Sequence, residues 1–230
     1  MIGKKAFAPE FTADLIYKII VAAIILGIII VPLVGYLLPT KATPAGGYVE
    51  ELCNINAGFR NAIAQANGPV RMFPHAFCHE RSAAVDANDW GTCDPNGKNG
   101  WKASLDVKRC AEQQLFNLMN RCWRMFGQGN WDQASALDET YGCFNMRVKD
   151  LGSEKITESD MAEFMIKQQS NGRTYCSILP NNNPNSACGS SDRISWQGEI
   201  KTQQSWKIGY HDYTRTGRIA GYYDQISIEQ

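Results

Sequence analysis

The chain is short of the features that name a chemistry. It has three histidines and no net charge, with 23 basic and 23 acidic residues. It has no C-x-x-C, which removes thioredoxin-type redox chemistry and c-type haem attachment. It has no G-x-S-x-G, no P-loop and no H-E-x-x-H, so the common hydrolase, nucleotide and zinc-protease signatures are missing. No Asn-x-Ser/Thr sequon occurs, and no internal repeat is visible. There is no cysteine before residue 53. Past Lys41 the chain carries 19 basic and 21 acidic residues, which offers no basic field to nucleic acid.

What is present is divided unevenly. Ile19 to Leu38 is a run of 20 residues without a charge, rich in Ile, Val and Leu. As a helix it would span about 30 Å, the thickness of a hydrocarbon core. It has no polar stripe of the kind a buried soluble helix carries. The mean hydropathy of −0.32 reflects the polar remainder. Gly27 and Pro32 interrupt the run, which a bilayer tolerates. Tyr17 and Tyr36 sit near its ends, where aromatic rings favour headgroups. Lys4, Lys5 and Lys18 precede or open the run and only Lys41 follows closely, which sets the N-terminus in the cytoplasm. The rival is a cleaved signal peptide with Thr43-Pro44-Ala45 near the cut, but the run is longer than a secretory apolar region.

All eight cysteines follow the run: Cys53, Cys78, Cys93, Cys110, Cys122, Cys143, Cys176 and Cys188. An even number at irregular spacing in an exported domain reads as disulfides. Short loops favour Cys122 with Cys143 and Cys176 with Cys188. Cys78 and Cys93 are the ties expected to hold the long irregular stretch 70–103. The reading is therefore a cytoplasmic tail (1–14), a transmembrane helix (15–38), a linker (39–47) and an extracytoplasmic domain (48–230).

The expected fold class is α+β: the transmembrane helix, then a disulfide-rich outer domain with helices first and a C-terminal antiparallel sheet. Tyr48 to Ala66 has helical spacing in Val49, Leu52, Phe59 and Ile63, with Asn67-Gly68-Pro69 ending it. Ser104 to Phe126 is the strongest helix, with Ser104 as N-cap and Gly127 beyond the end. Its apolar face is Val107, Cys110, Ala111, Leu115, Leu118, Cys122 and Phe126. Tyr141 to Lys149 alternates as a half-buried strand, Phe144, Met146 and Val148 inward. Thr157 to Ser170 is a helix with a Thr157/Asp160 capping box and Asn171-Gly172 at its end. Arg193–Ile200, Ser205–Asp212 and Tyr222–Glu229 are the strands of the late sheet.

No catalytic residue, cofactor site or metal site emerges. His75-Ala76-Phe77-Cys78-His79-Glu80 groups metal donors, but Pro74 opposes the helix that would align them, and Cys78 is expected to be oxidised. Asp89, Asp94 and Asn96 resemble a calcium loop without its terminal Glu. His211 and Asp212 adjoin in a strand and point to opposite faces. Six tryptophans (Trp90, Trp101, Trp123, Trp131, Trp196 and Trp206) read as core filling before ligand contact.

Cys122-Trp123-Arg124-Met125-Phe126-Gly127, then Cys143-Phe144 and Trp206-Lys207-Ile208-Gly209-Tyr210, loosely resembles a pattern in archaeal single-pass membrane proteins with a cysteine-containing outer domain. That resemblance covers about 105–230 and implies no activity. Lys5-Ala6 followed by Phe7-Ala8-Pro9-Glu10 resembles the processing site of type IV pilin-like proteins, although here the apolar run starts well downstream, past Pro9, Asp14 and Lys18. The function expected is a membrane-anchored binding or scaffolding protein. Its partners would be membrane lipid and a second copy or an envelope protein. A pilin-like assembly subunit and an extracytoplasmic enzyme stand as alternatives.

Overall fold

The computed structural model describes residues 48–65, 78–126, 139–179, 194–212 and 225–230. The chain divides into two units, Met1–Leu38 and Pro39–Gln230, and the described residues all belong to the second. Among them no helix is long and apolar enough to cross a membrane. The apolar run 19–38, and with it the expected tail (1–14), transmembrane helix (15–38) and linker (39–47), lie outside the described residues.

In chain order the elements are α1 (Tyr48–Gln65), β1 (Arg81–Asp86), α2 (Trp90–Cys93), α3 (Trp101–Ser104), α4 (Val107–Met125) and β2 (Glu139–Lys149). Then follow α5 (Glu158–Lys167), β3 (Gln169–Ser170), β4 (Arg173–Thr174), α6 (Tyr175–Ile178), β5 (Ile194–Trp196), β6 (Ser205–Asp212) and β7 (Gln225–Glu229). A five-stranded sheet runs β1-β2-β6-β7-β5. Its centre is antiparallel, while β1 pairs with β2 and β5 with β7 in parallel. The mixed α/β class stands, but the expected order does not. The sheet is mixed rather than antiparallel, and strands are interleaved with helices. A parallel pair needs a long crossover, and the segment carrying α2, α3 and α4 supplies it between β1 and β2.

α4 is the spine. It packs on the sheet through β1, β2, β6 and β7 and meets α1, α2, α3 and α5 on its other sides. Its apolar face is as expected from spacing, with Cys110, Ala111, Leu115, Leu118 and Cys122 buried. Trp123, Phe126, Tyr141 and Tyr210 form an aromatic cluster under the sheet, Phe126 stacking on Tyr210 at 4.7 Å and Trp123 tilted against Tyr210 at 5.6 Å. Burying such rings dominates core energetics.

The start of α4 departs from expectation. Leu105 takes a left-handed backbone (φ 54°) and splits the stretch into α3 and α4. Asp106, not Ser104, is the N-cap of α4, accepting from the Arg109 amide at 3.0 Å. α5 keeps its capping box, Thr157 with Asp160. It ends at Lys167 because Asn171-Gly172, both at positive φ, turns a small β3–β4 hairpin instead of closing a helix. In β2 the register shifts between Gly142 and Phe144. This bulge lets Cys143 and Phe144 both face inward, where strict alternation would expose one of them.

Candidate functional site

Three polar assemblies stand out from the core. The first fastens α1. Glu50 is buried and accepts from Arg81 Nη1 at 3.0 Å and Arg121 Nε at 3.0 Å, with Arg121 Nη2 on the same carboxylate. Arg121 also lies over the Phe144 ring, 5.3 Å from its centroid. Burial draws the Arg81 guanidinium below its usual value, Glu50 opposes that, and Arg121 adds to it. Asn54 Nδ2 donates to the Arg124 carbonyl, and the Cys53–Cys78 disulfide joins the middle of α1 to the residues before β1. Helical spacing gave the span of α1 but no sign that Glu50 points inward between two arginines; of the expected apolar face, Leu52 is half-buried, and the side chains of Val49, Phe59 and Ile63 lie outside the described residues.

The second assembly is the seam between α4 and α5. Glu112 is fully buried. Its Oε2 accepts from Arg109 Nη1 at 3.0 Å, and its Oε1 has no hydrogen-bond partner. Burial pushes this carboxyl up to about 7, against the pull of Arg109 and Lys108, and Asp160 adds to the rise. Lys108 Nζ reaches Asp160 at 2.7 Å, and Arg109 Nη2 reaches Glu163 at 3.5 Å. Tyr175 stacks on Phe116 at 3.8 Å and donates to Gln113 Oε1 at 3.0 Å.

The third is the sheet face turned away from α4. Ser82, Ala84, Asn145, Arg147 and Lys207 are exposed there. Thr140 Oγ1 and His211 Nδ1 lie 3.0 Å apart. Gly142 and Gly209 pair across β2 and β6. A β-carbon would sit 2.7 Å from Glu80 Oε2 at Gly142 and 2.7 Å from Ser227 Oγ at Gly209. Both glycines therefore make room for polar side chains on this face, a role that alternation patterns do not reveal. This face is exposed and polar at Ser82, Asn145, Arg147 and Lys207 and buried at Gly209, where His211 Nε2 and Ser227 Oγ are also covered.

The cysteines fall as follows. Cys53–Cys78, Cys93–Cys110 and Cys122–Cys143 are disulfides, the last as expected from loop length. Cys176 is also disulfide-bonded, and Cys188 lies outside the described residues. Cys78 and Cys93 do tie down the 70–103 stretch, each to a different helix, and that stretch also holds β1, α2 and α3. β1 escaped notice because Arg81-Ser82-Ala83-Ala84-Val85-Asp86 has a single β-branched residue.

Among the described residues no group of three metal donors converges. His79 is exposed and His75 lies outside them. Asp89 caps α2 through the Thr92 amide, and Asp94 Oδ1 accepts from the Asn99 amide at 3.2 Å while its Oδ2 is buried without a partner. Trp101, Trp123 and Trp206 are core residues, Trp90 and Trp196 are half-buried, and Trp131 lies outside the described residues. No protein-family model, curated protein or solved structure matches the chain.

Proposed function

We propose that this chain is a membrane-anchored, extracytoplasmic binding or scaffolding protein, single-pass, with its N-terminus in the cytoplasm. The observation that carries the reading is the disulfide set. Three bridges close separations of 25, 17 and 21 residues, and α4 bears one at each end, at Cys110 and Cys122. Such a set belongs to an oxidising compartment. The charge-free run 19–38, its flanking lysines and the absence of cysteine before it support an anchor on the other side. The exposed polar residues Ser82, Asn145, Arg147 and Lys207 on the sheet face away from α4 support contact with a large partner.

Protease added to intact cells, combined with thiol labelling of native membranes, tests the address. External cleavage with all cysteines oxidised is expected, and a protected domain with free thiols would overturn the proposal. Native solubilisation tests the role. A partner, or a second copy, should co-purify and be released by reversing Arg147 and Lys207 to Glu, whereas a chain always alone and monomeric would remove the binding reading. The pilin-like alternative rests on Lys5-Ala6 and demands loss of residues 1–6 by intact mass, whereas an intact N-terminus removes it.

A further inference from the structure

The segment 157–179 packs on α3 and α4 through aromatic side chains. Phe164 meets Trp101 of α3 at 6.0 Å and Tyr175 at 5.9 Å, and Tyr175 stacks on Phe116 of α4. Its strands β3 and β4 pair only with each other and form no part of the five-stranded sheet. Four charges organise the seam: Lys108 and Arg109 from α4, Asp160 and Glu163 from α5. Arg109 is shared, holding Glu112 with one nitrogen and Glu163 with another, while its guanidinium lies 5.8 Å from the Phe164 ring centroid. Beneath them sits Glu112, fully buried, with Oε1 unanswered.

We propose that Glu112 is a proton-operated latch: protonated, it lets α5 and α6 close on α4, and ionised, it loosens that segment while the five-stranded sheet stays folded. The physical reason is the cost of a buried carboxylate with one oxygen unsatisfied. An ionised Glu112 must draw Arg109 and Lys108 inward or admit water into the seam. The first response takes Lys108 from Asp160 and Arg109 from Glu163, which keeps Lys167 of its own helix, and the second wets the α4–α5 contact itself. The hydroxyl of Tyr175, bonded to Gln113 next along α4, is the contact of α6 that follows. Met161, Phe164, Met165 and Leu179 of this segment are buried and Cys176 is disulfide-bonded, so the opening is a local loosening of the charged seam, short of global unfolding.

The test uses the full-length chain in detergent micelles. Tryptic cleavage after Lys167 and Arg173 is followed from pH 6 to pH 8 in the wild type and in Glu112→Gln, the variant cancelling trypsin's own pH response. The wild-type-to-variant ratio is expected to rise about tenfold across that window, as ionisation of a group titrating near 7 would require. A flat ratio overturns the latch. Because the variant could fail to fold, the side-chain carboxyl of Glu112 is also titrated by carbon NMR in the wild type. A midpoint near 7 is expected, and one at the ordinary glutamate value overturns the proposal.

Discussion

Two buried glutamates, one on α1 and one on α4, are answered differently. Glu50 has a guanidinium on each side, and both its oxygens accept. Glu112 has Arg109 on one oxygen and nothing on the other. The first is a clamp in which both carboxylate oxygens are answered, with Arg81 Nη2 left without a partner. The second is left incomplete in the same core, and burial moves its titration to about 7. The clamp sits beside the Cys53–Cys78 bridge and holds the helix that follows the linker, whereas the incomplete pair lies under a segment with its own small hairpin. Permanence and response are thus built from one residue type by the number of donors supplied.

The comparison breaks most directly at Glu50. Glu50→Ala leaves two guanidiniums buried without their anion and is expected to cost about 3–5 kcal/mol in denaturant unfolding of the oxidised chain. Replacing Cys122 and Cys143 together by Ala is expected to cost about 3 kcal/mol, the loop-closure value for the 21-residue separation. That loss should show equally at pH 5 and pH 8.

Glu112 behaves otherwise. Its folded titration at about 7 lies above the unfolded value of 4.5, so the folded chain holds a proton that the unfolded chain releases. Its contribution is fully present below 4.5, is lost as the pH climbs to about 7, and levels off above. The loss, read from melting at stepped pH, is at most about 3 kcal/mol, and Glu112→Gln should flatten the profile. The smallest effect is at the α5 cap. Thr157→Ala removes the capping box and is expected to cost about 1 kcal/mol. It should raise opening of 157–179 at every pH without moving the midpoint, which separates a hinge from the latch.

Periodicity made the spans of α1, the body of α4, β2 and β6 readable, and the Thr157/Asp160 spacing marked the α5 capping box. β1 was unreadable, being edge chain with a buried Arg81 where a hydrophobe was due. The split at Leu105 could not be foreseen, since leucine rarely takes a left-handed backbone. Neither Glu50 nor Glu112 announced itself, because a glutamate on a helix reads as solvent-facing until its neighbours are known.

From the order of residues alone came the charge-free run 19–38, the placement of every cysteine beyond it and the Cys122–Cys143 loop, all of them properties of spacing along the chain. The parallel pairing of β1 with β2, the bulge at Cys143 and the pairing of Cys53 with Cys78 were decided by tertiary structure. So was the count of donors around each buried carboxylate. Such features join residues far apart in the chain, and packing, not period, determines which of them meet.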